Sequence, residues 1–198
     1  MKSNVCKFEK GTKGLEEILK ESERVAAYNG FTHKQTLQLR LLCEEIDGML
    51  PNIIGDFGGD LWIEYENGIC KVNVSIKIPE FKLEQKEELI AIAKNKKNAA
   101  TVGIVGKIRG AIENFFLDEE PVGYFDTSYG AFYEIGMAGY VDYSCLWSLE
   151  QYRSTVKQGN QNEAWDELEK SVIASVADDV IVGVKGKQAN IVIVKKFA

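Results

Sequence analysis

Between Lys13 and Ile78 the chain sets two helix-patterned segments in front of two strand-patterned ones, and the second pair is joined by Glu66-Asn67-Gly68. Asn-Gly between two β-patterned runs is a strong signal for a hairpin, because both residues tolerate the left-handed backbone that a tight turn needs. The flanking strands are Leu61 to Tyr65 and Lys71 to Ile76.

Upstream, Ser3 to Glu9 alternates weakly through Val5, Lys7 and Phe8 and reads as a short edge strand. Thr12 is expected to cap a first helix, with Glu16 and Glu17 near the positive end of its dipole. Leu15, Ile18, Leu19, Val25 and Ala26 give that helix an apolar face, and Asn29-Gly30 ends it. Thr32 caps a second helix, in which Leu37, Leu39, Leu41, Leu42, Ile46 and Met49 cover most of the circumference, the pattern of a deeply buried helix. Pro51 and Gly55, Gly58 and Gly59 are expected to terminate it.

Downstream, Glu84 to Lys94 reads as a helix and Lys94 to Asn98 as a polar joint. Thr101 to Leu117 carries helical spacing through Ile104, Ile108, Ile112, Phe115 and Phe116. Gly103, Gly106 and Gly110 each disfavour helix by ~1 kcal/mol relative to alanine, which points to a close approach by something else. Pro121 to Trp147 is rich in glycine and aromatics and reads as strands or an ordered loop excursion. Trp147 to Val156 and Gln161 to Val176 read as helices, and Val180 to Val184 with Ala189 to Val194 as a closing hairpin. The fold class is therefore α+β: a two-layer sandwich, a mostly antiparallel sheet with helices on one face. The organisation is one domain over 1–198, with 118–176 as an inserted strand, loop and helix elaboration.

Composition removes several classes. Net charge is −6, the opposite of the basic footprint that selects a phosphate backbone, so no nucleic-acid partner is expected. No apolar run approaches the roughly 20 residues needed to span a bilayer, and the first residues lack the apolar core of a secretory signal, so no membrane partner and a cytoplasmic location are expected. The cysteines Cys6, Cys43, Cys70 and Cys145 form no CxxC pair, which reads as buried, reduced thiols rather than a zinc or disulfide framework.

The run VAAYNGFTHKQTLQLRLLCEEIDGM, together with the element order that follows, resembles the GHKL (histidine-kinase-like) ATPase fold, nearest its anti-sigma-factor serine-kinase branch. There a Gly-Phe turn leads into a helix bearing Glu-x-x-x-Asn. The resemblance covers Lys13 to Leu117 in order and the final hairpin more loosely. It implies an ATP site with magnesium, in which Glu45 activates the attacking group and the residue four positions on holds the metal. That residue is Met49, a poor ligand for a hard cation. Asn52, beyond Pro51, is not expected to face the same way. The adenine-binding Asp-x-Gly-x-Gly is also missing: Lys77 stands nearest the aspartate position, and lysine has donors and no acceptor. Gly103, Gly106 and Lys107 resemble the glycine-rich helix start that covers the phosphates.

These residues are the candidate site: Glu45 as catalytic base, Gly103, Gly106 and Lys107 for nucleotide or phosphate, and no metal ligands. Close helix packing is the competing reading of Gly103 and Gly106. Glu44 and Asp47 flank Glu45 but point apart on a helix, and His33, the sole histidine, reads as an exposed turn residue. Three functions remain open. One is a regulatory protein-interaction module of anti-sigma-factor type, no longer catalytic, with a regulator or sigma-factor-like protein as partner. Another is an active ATP-binding protein or serine kinase with an altered metal site. The third is a small-ligand sensor in which Tyr124 to Trp147 fill the former cleft. With two of three motifs missing, the balance is against catalysis. The resemblance also allows a homodimer.

Overall fold

The computed structural model describes residues 1–8, 14–54, 58–77, 103–117, 144–159, 168–185 and 188–197. Eleven elements follow in the order β1 (Cys6–Phe8), α1 (Gly14–Tyr28), α2 (His33–Ile54), β2 (Gly59–Glu66), β3 (Ile69–Lys77), α3 (Gly103–Leu117), β4 (Ser144–Ser148), α4 (Leu149–Gly159), α5 (Val172–Val176), β5 (Asp179–Lys185) and β6 (Gln188–Lys196). The strand, helix pair, hairpin, glycine-rich helix and closing hairpin expected from the sequence all occur in that order. The cap at Thr12, the helix over 84–94 and most of the aromatic stretch 121–147 lie outside the described residues.

The strands form one six-stranded antiparallel sheet in the order β1-β2-β3-β6-β5-β4. Asn67 and Gly68 both take positive φ, the geometry that lets a two-residue turn join the twisted strands β2 and β3. Alternation then decides which side chains meet the helices. Val72, Val74 and Ile76 of β3 lie beside Ile193, Ile191 and Ala189 of β6, and Val180 and Val182 continue the row on β5. These join Ile18 and Val25 of α1, Leu39, Leu42 and Ile46 of α2, Ile104 and Ile108 of α3, Leu149 and Val156 of α4 and Ile173 of α5 in one core. The sheet therefore carries its described helices on one face, as the α+β reading requires.

The second face is apolar at its centre too. Ile181, Val192 and Val194 are buried there, outside the helix-side core. Beside them Asn190 is buried, and its Nδ2 has no hydrogen-bond partner among the described residues. A strand buried on both faces reads as a continuous apolar run, which is how Ile191 to Val194 appear in the sequence.

Local chemistry fixes the helix ends. Asn29 to Phe31 close α1, with the Phe31 N–H reaching the Ala26 carbonyl at 3.0 Å. Phe31 then packs edge-on against Tyr65 and Phe197, with ring centroids 4.9 and 4.8 Å away. This pins the α1–α2 turn to the β2–β3 turn. Thr32 caps α2 reciprocally: its hydroxyl accepts from Gln35 N at 3.3 Å while Gln35 Oε1 accepts from Thr32 N at 2.8 Å.

Three boundaries differ from expectation. The α2 backbone runs through Pro51 and ends at Ile54, directly before Gly55, so of the expected stop signals only the proline fails to end it. Trp147 belongs to β4, and α4 begins only at Leu149. In the stretch read as one helix over 161–176, residues 168–170 are helical and Ser171 interrupts, its hydroxyl accepting from Ala174 N to start α5.

Candidate functional site

The site residues sit on α2 and α3, which pack against each other. On α2 the buried stripe Leu39, Leu42, Cys43, Ile46, Met49 and Leu50 orients the helix. Glu44 is turned to Arg40 at 3.0 Å, and Arg40 bridges on to Glu23 of α1 at 2.7 Å. Glu44 is thus part of an ion-pair row tying the two helices. Glu45 is half-buried, as is Asp47, whose carboxyl burial pushes above the usual aspartate range. His33 is exposed in the first turn of α2.

Met49, four residues after Glu45, is only 9% exposed and belongs to the helix-side core. Because α2 continues beyond Pro51, the Asn52 backbone stands two turns from Glu45 on the same side of the helix, contrary to the expectation that it faces elsewhere. That spacing is about 10 Å along the axis.

On α3, Gly103 opens the helix with φ +78, a conformation that a side chain would strain. A Cβ at Gly103 or Gly110 would meet no described atom within 4 Å, so the described residues make no close approach at either. Gly106 is buried too, although it lies on the side of the helix opposite the core residues Ile104 and Ile108. Lys107 is half-buried, and its ammonium lies 5.5 Å from the ring centroid of Tyr152 on α4. Tyr152 in turn leans on Trp147 at 6.1 Å.

The residues Gly103, Gly106 and Lys107 are thus together on one helix, and that helix lies beside the one carrying Glu45. Lys77 ends β3 exposed, on the sheet face opposite that of Ile76. Helices bearing Glu45 and Lys107 stand on the Ile76 side.

These positions do not fit a magnesium-bridged nucleotide held as the resemblance implies. The residue that would supply a metal oxygen is a thioether in the core, and the residue nearest the adenine-binding position is a cation on the other face. Among the described residues, no group of three or more His, Cys, Asp or Glu could hold a metal ion. The thiols of Cys43, Cys70 and Cys6 are all pushed up by burial, that of Cys70 to about 12, so they stay protonated and unreactive. No family model, curated protein or solved structure matches the chain. No helix among the described residues is long and apolar enough to cross a membrane.

Sequence reasoning missed the anchoring of α4. Asp179, buried at the start of β5, accepts from Glu150 N at 3.0 Å and so caps α4 from outside the helix. Arg153 donates to the carbonyls of Ala174, Ala177 and Asp178, closing the end of α5. The Asp178-Asp179 pair just before an apolar run was the available signal. Its partners, however, lie on another element.

Proposed function

We propose that this chain is a regulatory protein-interaction module built on a histidine-kinase-like ATPase fold whose nucleotide chemistry has been lost. Its partner is a protein, a regulator or sigma factor, and its organisation is one ATPase-like domain elaborated over 118–176. Met49 carries this reading, since placing a thioether in the core at the metal position leaves phosphoryl transfer without the cation that neutralises its charge. The strand, helix and hairpin order and the ring of Phe31 beside the α1–α2 turn are what one expects of that fold.

Exposed Tyr28 and Leu37, at the end of α1 and the start of α2, support a protein partner there, because large apolar side chains left in water are what docking surfaces use. The resemblance nominates the segments around Lys13 to Arg24 and Lys94 to Lys107 for docking; Tyr28 and Leu37 lie beyond the first, and residues 94–102 of the second lie outside the described ones. An ATP-dependent serine kinase is the competing reading, favoured by the left-handed Gly103 opening a helix with Lys107 just after its first turn.

Calorimetric titration with ATP and ADP, with and without magnesium, separates the two. The expected result is no magnesium-dependent binding in the micromolar range, about −8 kcal/mol. Magnesium-dependent binding that Lys107→Ala and Glu45→Ala weaken overturns the interaction-module reading in favour of the enzyme.

A further inference from the structure

The side of α2 turned away from the core carries an ordered pattern. Lys34, Leu37, Leu41, Glu45 and Gly48 follow one another at steps of three or four residues, so they share one side of the helix, opposite the buried stripe of Leu39, Leu42, Cys43, Ile46 and Leu50. Leu37 is 51% exposed, and Leu41, one turn on, is half-buried. Lys34 is exposed at one end of this pair and Glu45 half-buried at the other. Arg40 and Glu44 are ion-paired to each other, whereas among the described residues the Lys34 and Glu45 side chains have no ion pair. Within one copy those two charges stand about 16 Å apart along the helix, out of each other's reach.

The order cation, two leucines, anion becomes its own complement when the helix is reversed. Two copies of α2 laid antiparallel about a two-fold axis set Leu37 of each against Leu41 of the other. In that register Lys34 of each copy lies within about 1.5 Å, along the axis, of the level of the other's Glu45, and on the same side of the contact. We propose that this face of α2 is a homodimer contact, with the four leucines at its centre and a Lys34–Glu45 ion pair at each end. A second copy is the occupant because symmetry alone supplies the reversed charge order, which an unrelated helix would have to match at both ends. Gly48, just beyond Glu45, puts no side chain in the way of the other copy, and no described atom lies within 4 Å of where its Cβ would stand. The contact goes beyond the interaction-module reading and does not rest on it: it takes up Leu37, leaves Tyr28 to a regulator, and gives Glu45 a part that needs neither nucleotide nor metal.

Sedimentation velocity of the full chain across a concentration series tests this. Wild type is expected to show a monomer–dimer equilibrium. Lys34→Glu and Glu45→Lys each turn two attractions into two repulsions and are expected to weaken the dimer at least about tenfold. Combined in one chain, the two changes exchange the signs and restore association to within about threefold of wild type. Leu37→Glu, which sets a charge at the apolar centre, is expected to abolish the dimer. All these side chains face away from the core, and an unchanged circular dichroism spectrum is the check that α2 is intact. The proposal is overturned if wild type is monomeric throughout the series, if the double variant associates no better than the single ones, or if Leu37→Glu dimerises as wild type does. ATP titration of wild type bears on the lost nucleotide site alone, so the two readings can fail separately.

Discussion

Glu21 and Asp179 are buried carboxylates that their surroundings drive in opposite directions. For Glu21, burial pushes the carboxyl up, but the two bonds from Asn4 and the charge of Arg24 outweigh it, and the group settles below the usual glutamate value of 4.5. For Asp179, burial dominates despite bonds from Glu150 N and Val180 N, and the nearby Glu150 carboxylate adds to it, so the group lies above the usual aspartate value of 3.8. The signs follow from linkage. Stability from Glu21 is fully present above its unfolded value and is lost as pH falls through the depressed native one. That from Asp179 is present below its unfolded value and is lost as pH rises through the raised native one. Between roughly pH 5 and pH 3, the denaturant midpoint of Glu21→Gln is expected to fall less than that of wild type, and that of Asp179→Asn to fall more. Equal slopes in all three would sink both assignments. Neither role was legible in the sequence, since each depends on a partner supplied by another element. Residue identity did reveal Met49 as unsuited to a cation, and burial in the core gives the same residue a packing role.

At the scale of elements, what local chemistry writes was readable and what the neighbours write was not. Thr32 and Gln35, and Asn67-Gly68, carry their own partners within a few residues. Pro51 misled because a proline in a helix removes one hydrogen bond and crowds the carbonyl four residues back, a cost of about 3 kcal/mol, whereas the buried residues Ile46, Met49 and Leu50 anchor α2 just ahead of it. Trp147 stands where the strand-or-loop reading of 121–147 meets the helix reading of 147–156, and its place in β4 is set by register with β5, which no periodicity in 144–148 announces. For the candidate site, Gly103, Gly106 and Lys107 were placed on one helix by spacing alone, but Tyr152, against which Lys107 rests, comes from a helix far along the chain. The cap at Thr32 gives a direct check: Thr32→Ala removes the acceptor of Gln35 N and is expected to cost about 1 kcal/mol, read as a lowered denaturant midpoint with unchanged slope. No change would mean that Gln35 alone sustains the helix start.

For the molecule as a whole, both ends of the sheet are irregular: β1 carries a bulge at Asn4 and Val5, and β4 shifts register between Cys145 and Trp147. Both sheet edges are thus poor templates for growth. At the centre β6 joins β3 on one side and β5 on the other, and four of its side chains from Ile191 to Val194 are buried, alternately on the two faces. A chain ending at residue 187 would leave β3 and β5 with nothing between them. It is expected to show no cooperative thermal transition by circular dichroism, and a cooperative one would mean that β6 is dispensable.

That central place gives the order of synthesis a cost. A ribosome finishes β3 at Lys77 and does not deliver the strand that pairs with it until Gln188 to Lys196 emerge. At roughly 5–20 residues per second, the hairpin's inner edge stands open for on the order of ten seconds while the intervening chain is made. During that interval the nascent protein is exposed to the wrong strand, and a chaperone that shields apolar hairpins would raise its yield more than one that acts after release.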